Sequence, residues 1–208
     1  MKALFINGSP HLNGCTKRGL LEVEKVLKEN GIETDWIELG TKDVRGCIAC
    51  YYCVEHHKCV FNDLVNESVD KLKEADAIII GTPVYYAGPN GTLHAFLDRL
   101  FFSTAATVNK TMKVGATVVS SRRAGSTSTF DDINKYFTIT SMPVAPSTYW
   151  NEVHGRKAED VEQDLEGLQT MRNLARNITF MLKAFAAQKE KEGGFPVQER
   201  NVHTDFIR

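Results

Sequence analysis

An α/β domain built on a parallel sheet is the fold class that this sequence predicts. Short apolar runs, each ended by glycine, proline or polar residues, alternate with segments whose apolar residues repeat at helical spacing. Runs of Ile, Leu and Val without polar alternation are typical of strands buried on both faces, as in parallel sheets. The 208 residues suffice for one domain with a sizeable core.

Five strand-and-helix units follow one another along the chain. Strands are predicted at residues 3–7, 34–39, 77–80, 113–120 and 144–149. Helices are predicted near residues 20–30 and at 64–72, 92–102, 130–137 and 165–185. At this chain length the pattern predicts a flavodoxin-like three-layer sandwich, with a five-stranded parallel sheet in the order 2-1-3-4-5. That order brings a ligand to the carboxyl ends of the first and third strands.

Residues 1–190 are predicted to form one domain, in which residues 45–62 are a Cys-rich insertion. Residues 191–208 form a tail after a hinge at Gly193-Gly194. The tail is too apolar for a purely solvated segment, and we expect it to contact the globule or a neighbouring subunit; disorder is the alternative. Its apolar residues are Phe195, Val197, Val202, Phe206 and Ile207.

The charge pattern excludes several classes of function. Formal net charge is −1, and no run of Lys and Arg exceeds a pair, so neither nucleic acid nor an anionic membrane is an expected partner. No stretch approaches the roughly 20 apolar residues that a membrane span needs. The first apolar run ends at Asn7-Gly8, which is too short for a signal peptide. We expect a cytoplasmic protein.

The stretch from Gly8 to Thr16 lies between the first strand and the first helix. Its small, hydroxyl and amide residues suit a phosphate, because N–H groups and the dipole at a helix N-terminus attract anions. Ser9 and Thr16 offer hydroxyl groups. The N–H groups expected to converge on the phosphate oxygens belong to Asn13, Gly14, Cys15 and Thr16. A polar turn capped by threonine is the alternative.

Three known phosphate loops do not match this stretch. A G-x-G-x-x-G dinucleotide loop is absent, because Ser9-Pro10 follows Gly8 and the next glycine is Gly14. A Walker A loop needs four residues between its glycines and then lysine, whereas five residues and Cys15 stand here. A cysteine phosphatase loop needs arginine six residues after Cys15, where Leu21 stands. A terminal monophosphate remains.

Four motifs resemble the flavodoxin-like NAD(P)H-dependent FMN reductases, and most closely their iron–sulfur flavoprotein branch. They are INGSP at 6–10 with NG at 13–14 and Thr16, GTPVYY at 81–86, AFLDR at 95–99, and TDFIR at 204–208. The resemblance covers nearly the whole chain. It implies a flavodoxin-like fold, bound FMN and electron transfer from a reduced donor.

The resemblance also implies which residues contact FMN. It assigns the phosphate to Ser9, His11, Asn13, Cys15 and Thr16. Residues 83–88 would line the isoalloxazine ring, and residues 120–125 would border it. The ring contacts expected are Pro83, Val84, Tyr85, Tyr86 and Gly88 after the third strand, and Ser120, Arg122 and Gly125 after the fourth. Tyr85 and Tyr86 covering the sheet end, and a solvated basic loop, are the alternatives for these two segments.

Two positions depart from the family. The family commonly has Arg where His11 stands, and Asn or Ser where Cys15 stands. Histidine is a weaker, pH-dependent counter-ion, so Lys17 or Arg18 is expected to share the charge compensation.

Four of the five cysteines lie close together, at Cys47, Cys50, Cys53 and Cys59. Their spacing, C-x2-C-x2-C-x5-C, is near the bacterial ferredoxin run C-x2-C-x2-C-x3-C. Structural zinc more often uses two separate C-x2-C pairs, although His56 and His57 could complete a zinc site. The resemblance implies a [4Fe–4S] cluster that exchanges single electrons with FMN.

The function expected is an FMN-dependent oxidoreductase. NAD(P)H or a reduced ferredoxin-type protein would reduce the flavin, which would pass electrons to a quinone or another small acceptor. Flavin N5 would be the reacting centre, so no acid–base triad is required. His94 is expected at the surface or as a cap, and Tyr149 and Trp150 either bound a substrate pocket or belong to the core or an interface.

Two other functions stay open. One is a non-enzymatic electron carrier or redox sensor, and the other is a binding module for a different phosphate ligand. The family's flavin site is often completed at a subunit interface, so the resemblance implies a homodimer or homotetramer. Without a separate dinucleotide fingerprint, the sequence does not distinguish NADH from NADPH.

Overall fold

A computed structural model describes residues 1–199 and 201–206, and in it helices cover both faces of a parallel sheet. The strands are β1 (Lys2–Asn7), β2 (Glu33–Glu38), β3 (Ala77–Tyr85), β4 (Gly88–Pro89), β5 (Val114–Ser121) and β6 (Glu152–His154). The helices are α1 (Cys15–Glu29), α2 (Tyr52–His56), α3 (Leu64–Glu67), α4 (Val69–Glu74), α5 (Gly91–Ser103), α6 (Ser126–Ile139) and α7 (Leu165–Glu192), with a 3₁₀ helix at Ala158–Gln163.

The five parallel strands have the order β2-β1-β3-β5-β6. The short strand β4 is antiparallel to the end of β3 and forms a hairpin with it. With this hairpin set aside, the order is the predicted 2-1-3-4-5. The prediction of a flavodoxin-like parallel sheet is confirmed.

The core has two halves, one on each face of the sheet. Phe5 and Ile79 face α1 and α7, whereas Leu4 and Ile78 face α5 and α6. Successive strand residues point to opposite faces of the sheet. Because helices cover both faces, Leu4 and Phe5 are both fully buried, as are Ile78 and Ile79. This is why these strands read as continuous apolar runs.

The prediction of a last strand at Val144–Tyr149 is wrong. Val144 makes only an isolated bridge with Gly115, and the strand that pairs with the end of β5 is β6. Pro143 and Pro146 flank this short bridge, and a proline has no N–H group to donate to a sheet. The chain leaves the sheet at Pro146 and returns when the carbonyl of Asn151 accepts a hydrogen bond from the N–H group of Val119.

Two further elements differ from prediction. The helix expected at 64–72 is divided into α3 and α4 at Ser68, whose hydroxyl group donates to the carbonyl of Leu64 at 2.6 Å. Such a bond competes with the regular helix ladder. Strand β3 runs through Gly81-Thr82-Pro83 to Tyr85, because residues 81–83 still pair with β5 and the last two residues pair with β4.

Helix α7 ends at Gly193, whose φ of 73° is left-handed. Beyond it, Phe195 is half-buried beside Lys189, but Val197, Val202 and Phe206 are 96%, 89% and 91% exposed. The tail therefore lies against α7 at Phe195, whereas the side chains of Val197, Val202 and Phe206 remain exposed, and their contact with a neighbouring subunit stays a prediction. Ile207 lies outside the described residues. No helix in the described ranges is long and apolar enough to cross a membrane.

Candidate functional site

The loop after β1 turns back on itself before α1 begins. The N–H group of His11 donates to the hydroxyl of Ser9 at 3.1 Å, and that of Gly14 donates to the carbonyl of His11 at 3.1 Å. Gly14 is the N-cap of α1, and no side chain hydrogen-bonds to the end of this helix. The unsatisfied N–H groups of the first helical turn are therefore directed at the space beyond the loop.

Thr16 joins this loop to the neighbouring strand. Its hydroxyl group lies 2.7 Å from that of Ser120 at the end of β5. Thr16 and Ser120 are both buried, so the bond forms away from bulk water. One of the two hydroxyl hydrogens makes this bond, and the other is left to donate elsewhere.

The charge compensation expected from Lys17 and Arg18 is not found. Lys17 pairs with Glu38 and stacks over the ring of Trp36. Arg18 pairs with Glu22 at 2.9 Å and with Glu162 at 2.5 Å. Lys17 therefore reaches a carboxylate of β2, and Arg18 reaches one of its own helix and one of the 3₁₀ helix.

One cleft of about 810 Å³ opens at the carboxyl ends of the strands. It is lined by residues 9–16, 83–85, 120–122 and 155–159. The sequence-predicted residues that line it are Ser9, His11, Asn13, Gly14, Cys15, Thr16, Pro83, Val84, Tyr85, Ser120 and Arg122. The topology thus brings together four segments spread between residues 9 and 159 of the chain.

Three predicted ring contacts lie beside this cleft instead of in its wall. Tyr86 is fully exposed at the tip of the β3–β4 hairpin, and Gly88 pairs with Tyr85 in that hairpin. Gly125 supports the hairpin from behind: its φ is 92°, and a Cβ atom there would lie 2.8 Å from the Cα atom of Ala87. Glycine is required at this contact for both reasons.

The segment at 155–159 is the part of the cleft that sequence reasoning missed. It follows β6, which had been predicted too early in the chain, so its place at the sheet edge was not recognised. It brings Arg156 and Lys157 to the cleft wall. Their backbone N–H groups donate to Asp160 at 2.8 and 3.1 Å and hold the pKa of that carboxyl below its ordinary value. The signal that the sequence offers for this segment is Gly155, a turn residue that follows the apolar strand residue Val153 by two positions.

Cys15 stands at the first position of α1, half-buried at the bottom of the loop. Burial raises the pKa of its thiol, and the charges of Asp160 and Glu159 raise it further. Cys15 is therefore an uncharged thiol at neutral pH. Such a side chain adds no repulsion toward an anion at the helix N-terminus.

The four clustered cysteines line a second, much smaller cavity of about 20 Å³. Cys47 and Cys50 are exposed, whereas Cys53 and Cys59 are half-buried. Burial raises the pKa of Cys53, and charge on the other three thiols raises it further, which reflects their closeness. Among the described residues, no three Cys, His, Asp or Glu side chains already have the geometry of a metal site.

Arg99 reaches this cavity from α5. Its side chain is only 1% exposed, and its Nε and Nη2 atoms donate to the Cys59 sulfur at 3.2 Å each. Asp63 accepts two more bonds from the same guanidinium, at 2.7 and 2.9 Å. Arg99 belongs to the AFLDR motif, which by itself assigns it no role. Its position three residues after Phe96, on the apolar side of α5, is the signal that the sequence offers.

The other residues singled out earlier lie apart from both cavities. His56 stacks on Tyr52 with ring centroids 3.9 Å apart, and it does not line the cysteine cavity. His94 lies 3.2 Å from the hydroxyl of Tyr136, a contact between α5 and α6. Tyr149 and Trp150 line a separate surface hollow, so they do not border the main cleft.

Known proteins are similar to this chain in sequence and in fold. Residues 1–156 match the family described as NADPH-dependent FMN reductase. An iron–sulfur flavoprotein of Methanocaldococcus jannaschii is 35% identical over 193 residues, which cover 88% of this chain and 98% of that protein.

Two solved structures are similar in fold at low sequence identity. RosB, solved with a bound 8-demethyl-8-formylriboflavin-5'-phosphate intermediate, has a TM-score of 0.72 at 16% identity and covers 100% of this chain and 94% of its own. A flavodoxin from the domain Archaea has a TM-score of 0.57 at 19% identity and covers 88% of this chain and 99% of its own. The chain belongs to the NADPH-dependent FMN reductase family, in the branch whose members are named iron–sulfur flavoproteins.

Proposed function

We propose that the main cleft binds FMN and that the protein is a flavin-dependent oxidoreductase. The observation that carries this proposal is the convergence of the loops after β1, β3, β5 and β6 on one cleft of about 810 Å³. A helix N-terminus lies on one wall, and Pro83 and Tyr85 lie on another. A phosphate and a flat aromatic ring are the two ends of FMN, so the chemistry of these walls fits that cofactor.

At the phosphate, the first-turn N–H groups of α1 would act together with the hydroxyls of Ser9 and Thr16. Arg156 and Lys157 on the opposite wall would supply the positive charge that Lys17 and Arg18 do not. His11 is exposed and would add charge only when protonated.

The residues of the cleft would hold FMN, which would supply the chemistry of hydride acceptance and electron transfer there. The chain's own residues would bind and orient the ring, and the exposed Arg122 at its border would stabilise negative charge on the reduced form. The donors proposed are NAD(P)H or a reduced ferredoxin-type protein, and the acceptor is a quinone or another small molecule. We also propose that the chain assembles into a homodimer or a homotetramer.

The four-cysteine cavity is proposed to hold a [4Fe–4S] cluster. The donor set fits, because four thiols line one cavity and a buried arginine is present to offset the charge of the thiolates. Cys47 and Cys50 are exposed, so the part of the loop that carries them would be able to adjust its shape to the metal.

Anaerobic purification followed by an absorption spectrum and by iron and sulfide analysis tests both cofactors. We expect resolved flavin bands, a broad shoulder that bleaches on reduction, and four irons per chain. A colourless protein that fails to bind added FMN contradicts the flavin proposal. A full flavin complement with near-zero iron contradicts the cluster alone.

Arg122 and Arg123 provide a matched pair for the flavin site. Both are exposed neighbours, but only Arg122 lines the cleft. We expect Arg122→Gln to weaken FMN binding and lower the flavin potential, whereas Arg123→Gln removes the same charge with little effect. Fluorescence titration with FMN measures the difference, and equal behaviour of the two variants argues against the assigned ring border.

A non-enzymatic electron carrier is the second candidate. The exposure of Cys47 and Cys50 favours it, because a cluster beside them would lie at the surface, within reach of a protein partner. Steady-state oxidation of NADH and of NADPH with an added quinone separates the two functions. An enzyme turns over repeatedly, whereas a carrier holds FMN and shows negligible turnover.

A further inference from the structure

Arg99 has a hydrogen-bonding pattern at the cysteine cavity that the offset of thiolate charge alone does not require. Its guanidinium is almost fully buried. It donates to the Cys59 sulfur from two nitrogen atoms, to Asp63 from two, and to the carbonyl of Arg45 at 3.2 Å. A buried cation is expensive unless its hydrogen bonds are made, and here nearly the whole donor fork is engaged.

Two hydrogen bonds to Asn66 fix the backbone of Cys59. The N–H group of Cys59 donates to the side chain of Asn66 at 2.9 Å, and its carbonyl accepts from the same amide at 2.9 Å. Asp63, the partner of Arg99, caps α3 by accepting from the N–H group of Val65. The sulfur of Cys59 therefore meets a guanidinium whose position is fixed by α3 and α5 together.

We propose that Arg99 is a positioning residue that sets the reduction potential of the iron–sulfur group through the sulfur of Cys59. This inference rests on the proposed cluster and goes beyond it, since it assigns control of the potential to one hydrogen-bonded sulfur. The contacts have the required chemistry: N–H groups donated to ligand sulfurs are a means by which proteins tune such groups.

The direction of the effect follows from charge. One-electron reduction adds negative charge, part of which resides on the ligand sulfurs. The guanidinium and its two N–H groups stabilise that charge and raise the potential. The carboxylate of Asp63 lies on the other side of the guanidinium and opposes this effect. Arg99 and Asp63 therefore act on the potential with opposite signs.

Two substitutions of Arg99 separate its charge from its geometry. Arg99→Lys keeps the charge but loses the planar fork that reaches sulfur and carboxylate at once. Arg99→Gln loses both and leaves Asp63 without its partner. We expect the equilibrium constant for cluster reduction to fall at least tenfold in Arg99→Gln, which is about 59 mV for one electron. A smaller fall is expected in Arg99→Lys.

Asp63→Asn is the variant with the opposite expectation. Asparagine remains a good N-cap for α3, and Arg99 keeps its bonds to Cys59. The guanidinium charge is then less compensated, so the potential should rise. If the role of Arg99 were purely structural, substitutions of Arg99 and of Asp63 would not shift the cluster potential in opposite directions.

Redox titration of the intact protein, followed by electron paramagnetic resonance, measures the cluster potential. The flavin potential, recorded by absorption in the same samples, is the internal reference. Arg45→Gln is the matched control, because it removes an arginine that is exposed in the same loop and stacks on Phe61. We expect both potentials to be unchanged in this control.

The possible failures are distinguishable. Wild-type protein without iron overturns the cluster proposal and this inference together. Wild-type protein with a full cluster, and with the same cluster potential in Arg99→Gln and Asp63→Asn, overturns this inference alone. If Arg99→Gln does not fold or assemble the cluster, Asp63→Asn decides: a raised potential supports the inference, and an unchanged or lowered potential overturns it.

Discussion

The hydroxyl of Thr16, in the first turn of α1, joins this helix to the end of β5. It lies 2.7 Å from the hydroxyl of Ser120, and both groups are buried. Removing one partner leaves the other without its bond in a site away from water. Thr16 therefore holds the loop after β1 against the end of β5, where the proposed phosphate and ring sites meet.

Thr16→Val tests this contact, since valine keeps the shape and removes the hydroxyl. We expect the free energy of unfolding to fall by about 1 kcal/mol and FMN affinity to fall by about tenfold. Urea unfolding and FMN titration measure the two effects. Thr179→Val is the control, because Thr179 is a buried threonine that bonds to its own helix. Equal loss of FMN affinity in both variants contradicts a specific role for Thr16.

At the scale of single elements, the β3–β4 hairpin has a strained turn. Tyr86 and Ala87 have φ values of 51° and 59°, the left-handed region that residues with a Cβ atom avoid. The hydroxyl of Ser128 donates to the carbonyl of Ala87 at 2.6 Å, and Gly125 packs behind it. Helix α6 thus stabilises a turn conformation that Tyr86 and Ala87 do not favour by themselves. This turn lies beside the proposed flavin ring.

Ala87→Gly should relieve part of this strain. We expect the free energy of unfolding to rise by up to about 1 kcal/mol, because glycine adopts positive φ without a steric cost. Ala187→Gly, at an exposed site in α7, should instead lower it by about 1 kcal/mol. Chemical denaturation compares the two, and destabilisation of the same size in both variants would show that the turn is not strained.

Helices α1 and α7 are joined by charges around Glu22. This buried carboxylate accepts bonds from Arg172 of α7 at 2.6 Å and from Arg18 at 2.9 Å. Burial alone would raise the pKa of Glu22, but the two guanidinium groups outweigh it and hold this pKa below its ordinary value. The ionised form is therefore favoured in the folded protein.

A lowered carboxyl pKa makes stability depend on pH in a defined direction. The contribution of Glu22 is fully present above its ordinary pKa of 4.5 and is lost as the pH falls through the lower folded-state value. We expect Glu22→Gln to lower the free energy of unfolding by about 1 kcal/mol at pH 7, and the difference from wild type to shrink toward pH 3.

Thermal unfolding across this pH range measures the effect of Glu22. Asp132→Asn is the control, because Asp132 forms an ion pair with Lys135 at the surface of α6, and such pairs contribute little. A difference between Glu22→Gln and wild type that stays constant from pH 7 to pH 3 argues against the lowered pKa.

At the scale of the whole molecule, the tail presents exposed apolar side chains at Val197, Val202 and Phe206. Within one chain these residues contribute little to stability, because they remain in solvent. We expect deletion of residues 195–208 to leave the unfolding of a single chain nearly unchanged and to shift the proposed oligomer toward smaller species. Sedimentation velocity measures the shift.

A full-length chain with serine at Val197, Val202 and Phe206 is the control for the tail deletion. It keeps the tail and removes only the apolar side chains, so it should reproduce the shift if those side chains form the contact between subunits. Unchanged assembly in both variants leaves the tail without a role in the oligomer and contradicts this prediction.

Prediction from the sequence was most successful where the pattern is local. The runs Ala3–Ile6 and Ala77–Ile80 identified strands, because a strand covered on both faces has no place for polar side chains. The same rule was wrong at Val144–Tyr149. An edge strand is short and only partly apolar, and the prolines at 143 and 146 limited its pairing to a single bridge.

The residues of the candidate site likewise differ in how well the sequence alone predicts them. The loop from Ser9 to Thr16 is contiguous, so its small and hydroxyl residues indicated a phosphate site before any fold was known. Arg156 and Arg99 had no such local pattern. Their roles depend on where β6 ends and on which residues the Cys-rich loop meets on α5.

The amino-acid sequence alone determined the fold class, the strand order, the family and the stretch proposed to bind a phosphate, because hydrophobic periodicity and contiguous motifs are properties of neighbours along the chain. The tertiary structure decided which cations lie at the cleft: Lys17 and Arg18 are paired with carboxylates, and Arg156 and Lys157 line the cleft. It also decided that Arg99 meets the sulfur of Cys59, 40 residues away in sequence. Electrostatic interactions depend on distance in space, which a linear pattern does not contain.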